Sequence, residues 1–410
     1  MSSAVSGRCG VLARAAIAVA LVCPFGCSDS ASGPEDEPRR DGGRGNGAGS
    51  GSKDASSSGG STRDDGGVAR PDGGDPRSPD SGADSGAGGD CAATPANTLH
   101  ELLSCTGLYA DIAGKVTADG VREFAPAVHL WSDGADKARW IYLPEGMQID
   151  SSDPDDWRFP IGTKLFKEFS HEGHRVETRL FWKVADNRWL RTAYQWNEDE
   201  TEAVRFAGGE VDVAGDAYHI PTAKECDQCH KGRADRVLGF EAGLLGMTGA
   251  TGLTLSELVD GGLLSDDPAL TELEIGDDGT TRAAAALGWL HVNCGVSCHN
   301  PYSAAEGFTS RLHLNLRAED LDGRASSGFP ALETGVGVTA RTPRWMGRIR
   351  IVPGSPEQSL LYELANTRDP SRPKDQMPPI ASRVTDPDGL SALEDWIRSM
   401  PAVASEAEPQ

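Results

Sequence analysis

Between residues 28 and 90 the sequence has no aromatic residue, no Leu and no Ile, and Val68 is its single Val. A stretch built of Gly, Ser, Asp, Pro and Arg has too little apolar surface to offset the entropy of ordering it, so it reads as a disordered tether. As a Gly/Ser-rich coil it would reach roughly 45 Å root-mean-square. Long apolar runs are equally scarce. Ala15 to Val22 is too short to span a membrane, but it follows Arg8 and Arg14 as the apolar part of an export signal over residues 1–27. The signal ends Pro24-Phe25-Gly26-Cys27, the order of a lipoprotein cleavage box, although Pro24 and Phe25 stand where Leu and a small residue are usual. Lipid is expected on Cys27, with plain cleavage nearby as the alternative. The product is expected in the periplasm or cell envelope, anchored to a membrane as a lipoprotein.

Basic charge is also short, with 39 Lys and Arg against 62 Asp and Glu. Residues 1–27 carry +2 and residues 28–90 carry −6, which leaves −19 of the total −23 on residues 91–410. A folded part this acidic excludes nucleic acid as an expected partner. It fits partners with basic docking patches, or general solubility alone.

Cysteine is sparse, at 9 in 410 residues, and its placement carries the chemistry. Cys226-Asp227-Gln228-Cys229-His230 sets two thiols three positions apart with an imidazole directly after them. Covalent haem attachment requires that order: each thiol adds across one porphyrin vinyl group, and the adjoining His is held under the iron. Cys294-Gly295-Val296-Ser297-Cys298-His299 repeats it with one more residue between the thiols. Gly295 is expected to give the backbone freedom for that residue to bulge. Two covalent haems c follow as the expected cofactors, with Cys226, Cys229, Cys294 and Cys298 as attachment points and His230 and His299 as axial ligands. A Cys₄ zinc site would accept these spacings but leaves both histidines unexplained. Cys9 and Cys23 leave with the signal. Cys91 and Cys105 then read as a disulfide in an oxidising compartment, with two free thiols as the alternative.

The pattern predicts an α+β chain: a β-rich domain over residues 91–223, a first haem-binding segment over 224–280, and a mainly α haem domain over 281–401. Residues 97–104 read as a short helix with Leu99, Leu102 and Leu103 inward, and residues 141–144 as a strand. Residues 175–182 pair with 188–196 across Asp186-Asn187 as a hairpin of period two. Residues 253–264 form a short amphipathic helix, and residues 357–364 start another. Residues 282–292 form a helix with Ala283, Leu287 and Leu290 on one face, leading straight into the second socket. Asp386-Pro387 caps a last helix that carries Leu390, Leu393, Trp396 and Ile397. The last two helices should cross and pack, which is the plan of a class I cytochrome c domain.

Gln376-Met377-Pro378-Pro379 is a rigid loop that offers a thioether, and Met377 is the expected ligand opposite His299. The first iron has no such obvious sixth ligand. His219, on the strand before the socket, is preferred over His129, His171, His174 and His291, and an open position is the alternative. Arg344, Arg348 and Arg350 are placed either to pair a haem propionate or on the surface. Asp266-Asp267 and Asp277-Asp278 read as solvated loops before Ca²⁺ sites. The run from Trp131 to Asp136 is a structural turn or a carboxylate site.

Leu130-Trp131-Ser132-Asp133-Gly134-Ala135, Lys137, Arg139-Trp140-Ile141, Leu143-Pro144, Trp157-Arg158-Phe159-Pro160-Ile161-Gly162-Thr163, Glu177-Thr178-Arg179-Leu180 and Tyr194-Gln195-Trp196-Asn197 together resemble a family of secreted bacterial dihaem c-type cytochromes. The likeness continues through Pro221, residues 226–230, Val237-Leu238-Gly239, residues 293–299 and Met377-Pro378-Pro379, and so covers most of residues 105–400. It implies two haems and a fold sketch but no substrate, and the second socket departs from it by its extra residue. The expected function is electron transfer between periplasmic or membrane redox partner proteins, with the higher potential at the Met-ligated second haem. The alternative is a haem-dependent oxidoreductase whose β-rich domain holds a substrate or peroxide at the first haem.

Overall fold

Two-residue periodicity between Val121 and Phe206 builds a sheet that is buried on both faces. The computed structural model describes residues 91, 95–213 and 215–402, all within one compact unit, residues 81–410. The expected signal, Cys27 and the tether lie outside the described residues. Strands β1 (Tyr109–Asp111) and β2 (Val116–Thr117) make a small hairpin. They are followed by β3 (Val121–Ala125), β4 (Asp136–Tyr142), β5 (Lys164–His171), β6 (His174–Ala185), β7 (Arg188–Trp196) and β8 (Ala203–Phe206). A second hairpin joins β9 (Gly209–Val213) to β10 (Asp216–Ile220). The short β11 (Thr251–Gly252) returns to β3, giving a seven-stranded antiparallel sheet in the order β11-β3-β4-β5-β6-β7-β8.

The hairpin expected across Asp186-Asn187 forms as β6 and β7, with Leu180 opposite Thr192 and Trp182 opposite Leu190. Its neighbour, β5 to β6, turns on Glu172 and Gly173 at φ 50° and 80°. Positive φ at both positions matches the twist of the flanking strands. The strand expected at residues 141–144 instead runs from Asp136 to Tyr142; Pro144 has no N–H to extend the ladder. Residues 97–104 do not form the expected helix. Leu102 bridges Val204 on the edge strand, Arg205 N donates to Glu101 O (2.8 Å), and only Leu103–Thr106 turns, as a 3₁₀ segment. The unpaired backbone of edge strand β8 recruits this segment as a partial strand. Cys91 and Cys105 are disulfide-bonded.

One sheet face packs Trp140, Phe166, Leu180 and Tyr194 against Leu103, Leu108 and Tyr109. The opposite face opens, through Ile141, Phe181 and Trp189, into a larger core that continues through Phe159, Phe240 and Leu244 to Leu287, Leu290, Leu393 and Trp396. The β-rich, first-socket and C-terminal segments therefore share one apolar interior.

The helices are short: α1 (Ala223–His230), α2 (Ala242–Gly246), α3 (Leu255–Asp260), α4 (Ala283–Leu290), α5 (Pro330–Gly335), α6 (Leu360–Asn366) and α7 (Pro387–Ser399). Helix α3 is shorter than the 253–264 expected, because Thr254 caps it and Gly261 ends it. Helices α4 and α7 do cross. Trp289 Nε1 donates to Asp386 Oδ2 (2.8 Å), and Asp386 Oδ1 accepts from Gly389 N (3.0 Å) to cap α7. A Cβ on Gly389 would lie 1.9 Å from Trp289 Nε1, so this position takes no side chain at the present spacing. Asp278 Oδ2 accepts from Trp396 Nε1 (2.8 Å), and Asp277 accepts from the backbone of Gly279 and Thr281. The α+β class holds: a large antiparallel sheet with a few helices.

Candidate cofactor site

Helix α1 exists to present its own C-terminal residues. Thr222 caps it, its Oγ1 accepting from Glu225 N (3.3 Å) while Glu225 Oε2 accepts from Thr222 N (2.8 Å). Gly208 lies under this cap at φ +97°, where a Cβ would sit 2.7 Å from the Thr222 backbone. The Thr222-x-x-Glu225 spacing is a sequence signature of a helix start, and it marks the socket helix independently of the cysteines. Cys226 and Cys229 are free thiols, and burial pushes the Cys229 thiol up to about 12. His230 stacks on Phe181, centroid to centroid 4.1 Å at 27°, and its Nδ1 lies 2.6 Å from Arg236 O. Nδ1–H donates to that carbonyl, which leaves Nε2 with the free lone pair. Burial holds the ring's pKa down to about 3, so it is the neutral, ligating form. Buried Asp235 pins the following loop to the sheet, accepting from Lys183 Nζ (2.9 and 2.8 Å), Trp189 Nε1 (3.0 Å) and Phe159 N (2.6 Å).

The second socket is wound differently. The helix expected over 282–292 is α-helical only to Leu290, then continues as a π turn over His291–Gly295. Val296 N donates to His291 O (2.8 Å) and His299 N to Cys294 O (2.8 Å), each across five residues. This wider winding absorbs the extra residue between the thiols. Gly295 therefore serves another purpose than the expected bulge: a Cβ there would lie 2.5 Å from Asn315 N and Leu314 C, so its glycine permits close backbone approach. Cys294 and Cys298 are free thiols, and burial pushes Cys294 up to about 12. A Cβ on Gly307 would lie 2.7 Å from His299 Nδ1, Ser310 Oγ is 3.3 Å from that nitrogen, and the Leu312 backbone is a further partner. Burial holds His299 down to about 4. Both sockets thus pair two free thiols with an imidazole whose Nδ1 is engaged, a donor set that fits covalent haem.

The two sockets touch. A Cβ on Gly232 would lie 1.8 Å from Ser297 O. Buried Asn300 donates through Nδ2 to Gly232 O (3.2 Å), Gly295 O (3.0 Å) and Val296 O (2.9 Å), joining both loops, and Lys231 Nζ pairs with Glu306 (2.6 Å). Nothing in either motif indicates this contact, which joins residues 68 apart.

Met377 is half-buried beside Ala340, Leu360, Leu364 and Trp345. Its N donates to Leu364 O (2.8 Å) and its O accepts from Arg368 Nη1 (3.3 Å). The Arg368 guanidinium in turn interacts electrostatically with Cys294. His219 has both ring nitrogens engaged, Nδ1 with Glu210 (2.8 Å) and Nε2 with Glu225 (3.2 Å), so ligation by it would take the ring off two carboxylates. His291 is likewise engaged, with Glu241 at Nε2 (2.7 Å) and Leu316 N at Nδ1 (2.9 Å). His171 lies against Tyr218 (5.9 Å), His174 is 4.0 Å from Glu200, and His129 is exposed. Arg344 pairs with Asp375 and Arg348 with Glu363, while Arg350 donates to the carbonyls of Ser310, Arg311 and Thr334. Asp133 accepts from Arg383 N and Val384 N, and Trp131 N donates to Asn293 Oδ1 (2.8 Å). The Trp131–Asp136 run is thus a structural turn that ties the sheet to the C-terminal loop. Sequence reasoning passed over His313, whose Nε2 is buried without a partner and which is electrostatically coupled to His299.

Among the described residues no three of His, Cys, Asp and Glu converge as a preformed ion site, and no helix is long and apolar enough to cross a membrane. No family model, curated protein or solved structure matches this chain.

Proposed function

We propose that this chain is an exported dihaem c-type cytochrome, of the secreted dihaem kind its sequence resembles, that transfers electrons between periplasmic or membrane redox partners. In this reading Cys226 and Cys229 bind one haem by thioethers and Cys294 and Cys298 the other. His230 and His299 are the proximal ligands, and Met377 faces His299. Residues 281–401 are then a class I cytochrome c-like domain. A lipid on Cys27 anchors the molecule. The bound haems supply reversible one-electron chemistry.

The observation that carries the reading is the state of the two imidazoles: each is half-buried, kept neutral by desolvation and held by its Nδ1, with two unbonded thiols in the same segment. The residues around them orient and exclude water. Phe181 fixes the plane of His230, Gly307 that of His299, and Arg368 holds the carbonyl of Met377. The contact of Gly232 with Ser297 favours a carrier, since adjacent sockets suit electron exchange between the two centres.

The test is an optical spectrum of the exported protein in both oxidation states with a pyridine haemochrome count. Two haems c per chain are expected, falling to one in Cys226→Ala/Cys229→Ala and to one in Cys294→Ala/Cys298→Ala. A colourless, correctly exported protein whose mass shows no added group would end the proposal.

A further inference from the structure

The sheet face over the first socket carries more cations than it has anions to pair with them. In register across three adjacent strands stand Arg139 on β4, Lys167 on β5 and Arg179 on β6. The next row on the same face holds Ile141, Leu165, Phe181 and Arg191, and His230 stacks on that Phe181. Two of the four cations have partners: Arg179 pairs with buried Glu177 and Arg191 with Asp227. Arg139 and Lys167 make no ion pair among the described residues. Arg139 is only 2% exposed, and its Nη1 is buried with no hydrogen-bond partner. Leaving a charge buried and unpaired is costly, because nothing replaces the water it has lost. A buried guanidinium and a half-buried ammonium, adjacent in register, are thus left without a counter-charge, and Lys137 beside them on β4 donates to Ala135 O (2.9 Å) and makes no ion pair among the described residues either.

We infer that Arg139 and Lys167 bind the two propionate carboxylates of the haem attached at Cys226 and Cys229. The inference rests on the dihaem reading above and adds its orientation. A porphyrin joined to the chain through its vinyl groups has its propionates on the opposite edge. Arg179 and Arg191 line the small cavity beside Cys226, whereas Arg139 stands two strands beyond Arg179, about 10 Å at the usual strand spacing. Arg139 therefore lies on the side away from the thiols, and Lys167, which interacts electrostatically with Cys226, stands between the two. Arg139 and Lys167 stand directly opposite each other on neighbouring strands, as two carboxylates on one porphyrin edge require, and guanidinium to carboxylate is the strong kind of hydrogen bond.

The test uses the full, exported holoprotein, with Arg139→Gln, Lys167→Met, the charge-keeping Arg139→Lys, and Arg372→Gln as an exposed control. Spectroelectrochemical titration should show the first haem shifting to lower potential in R139Q and K167M, because removing a nearby cation favours the ferric state. The second haem should keep its potential, and R139K and R372Q should stay near wild type. The propionate bending band in resonance Raman should move in R139Q and K167M only. Phosphate or acetate added to the wild type should change neither readout. Haem-loaded R139Q and K167M with unchanged potential and unchanged Raman band would overturn the inference and leave the dihaem reading standing. A saturable shift with phosphate would also overturn it, by showing that the row takes a free oxyanion. Absence of haem would instead remove the dihaem reading itself.

Discussion

One side-chain amide sets the spacing of the two sockets. Asn300 is 4% exposed and reaches three carbonyls from two loops. Asn300→Ala removes all three bonds and buries their acceptors unpaired, which should lower stability by roughly 2–3 kcal/mol. Urea unfolding of the variant against wild type measures it, and an unchanged midpoint would show that the latch is dispensable. No sequence signal points to Asn300, because its role depends on Gly232, which is brought close only by the fold. The thiols and imidazoles next to it were legible for the opposite reason: their chemistry needs neighbours in the chain. His219 lies between these cases. Its place before α1 is plain in the sequence, but its pairing with Glu210 and Glu225 is set by the β9 and β10 hairpin register.

At the scale of elements, the crossing of α4 and α7 turns on Gly389. In an isolated helix Ala would be favoured over Gly by about 1 kcal/mol. Here a Cβ would meet the Trp289 indole at 1.9 Å, so Gly389→Ala must push the helices apart and break the Trp289 to Asp386 bond. The expected result is a net loss of about 2 kcal/mol or more, read as a lower Tm with altered Trp fluorescence. A variant as stable as wild type would mean that the crossing adapts freely. That these two helices exist and meet was readable from Ala283, Leu287 and Leu290 facing Leu390, Leu393 and Trp396. The π turn into Cys294 was not, since the apolar pattern of residues 282–292 is the same for either winding. The hairpin of β6 and β7 was readable from alternation, whereas β5 and its Glu172-Gly173 turn carried no strong turn signal.

Across the whole molecule, Glu241 ties the segment after the first socket to the helix before the second. Burial alone would raise its pKa, but Arg233 at 3.3 Å and His291 at 2.7 Å outweigh this, and the net shift is downward. A carboxyl whose folded pKa lies below its unfolded one stabilises the fold above the unfolded value, and that contribution is lost as pH falls through the folded value. Stability should therefore decline on acidification below the ordinary carboxylate range. Glu241→Gln should be less stable at pH 7 by about 3 kcal/mol and should lose less than wild type between pH 5 and pH 2. Thermal unfolding at pH 7 and across that range checks both, and parallel curves would exclude the pair as the cause. The acidity of residues 91–410 was visible from composition, but which carboxylates are buried and paired was not.

The shared interior has a practical corollary. Trp131 and Asp133 brace the C-terminal loop, Asn300 grips Gly232, and Phe181 backs His230. Neither socket can be excised with its own segment as an intact fragment, because each would leave behind part of the other's wall. A version with one socket disabled has to be made by point replacement of thiols within the full-length chain.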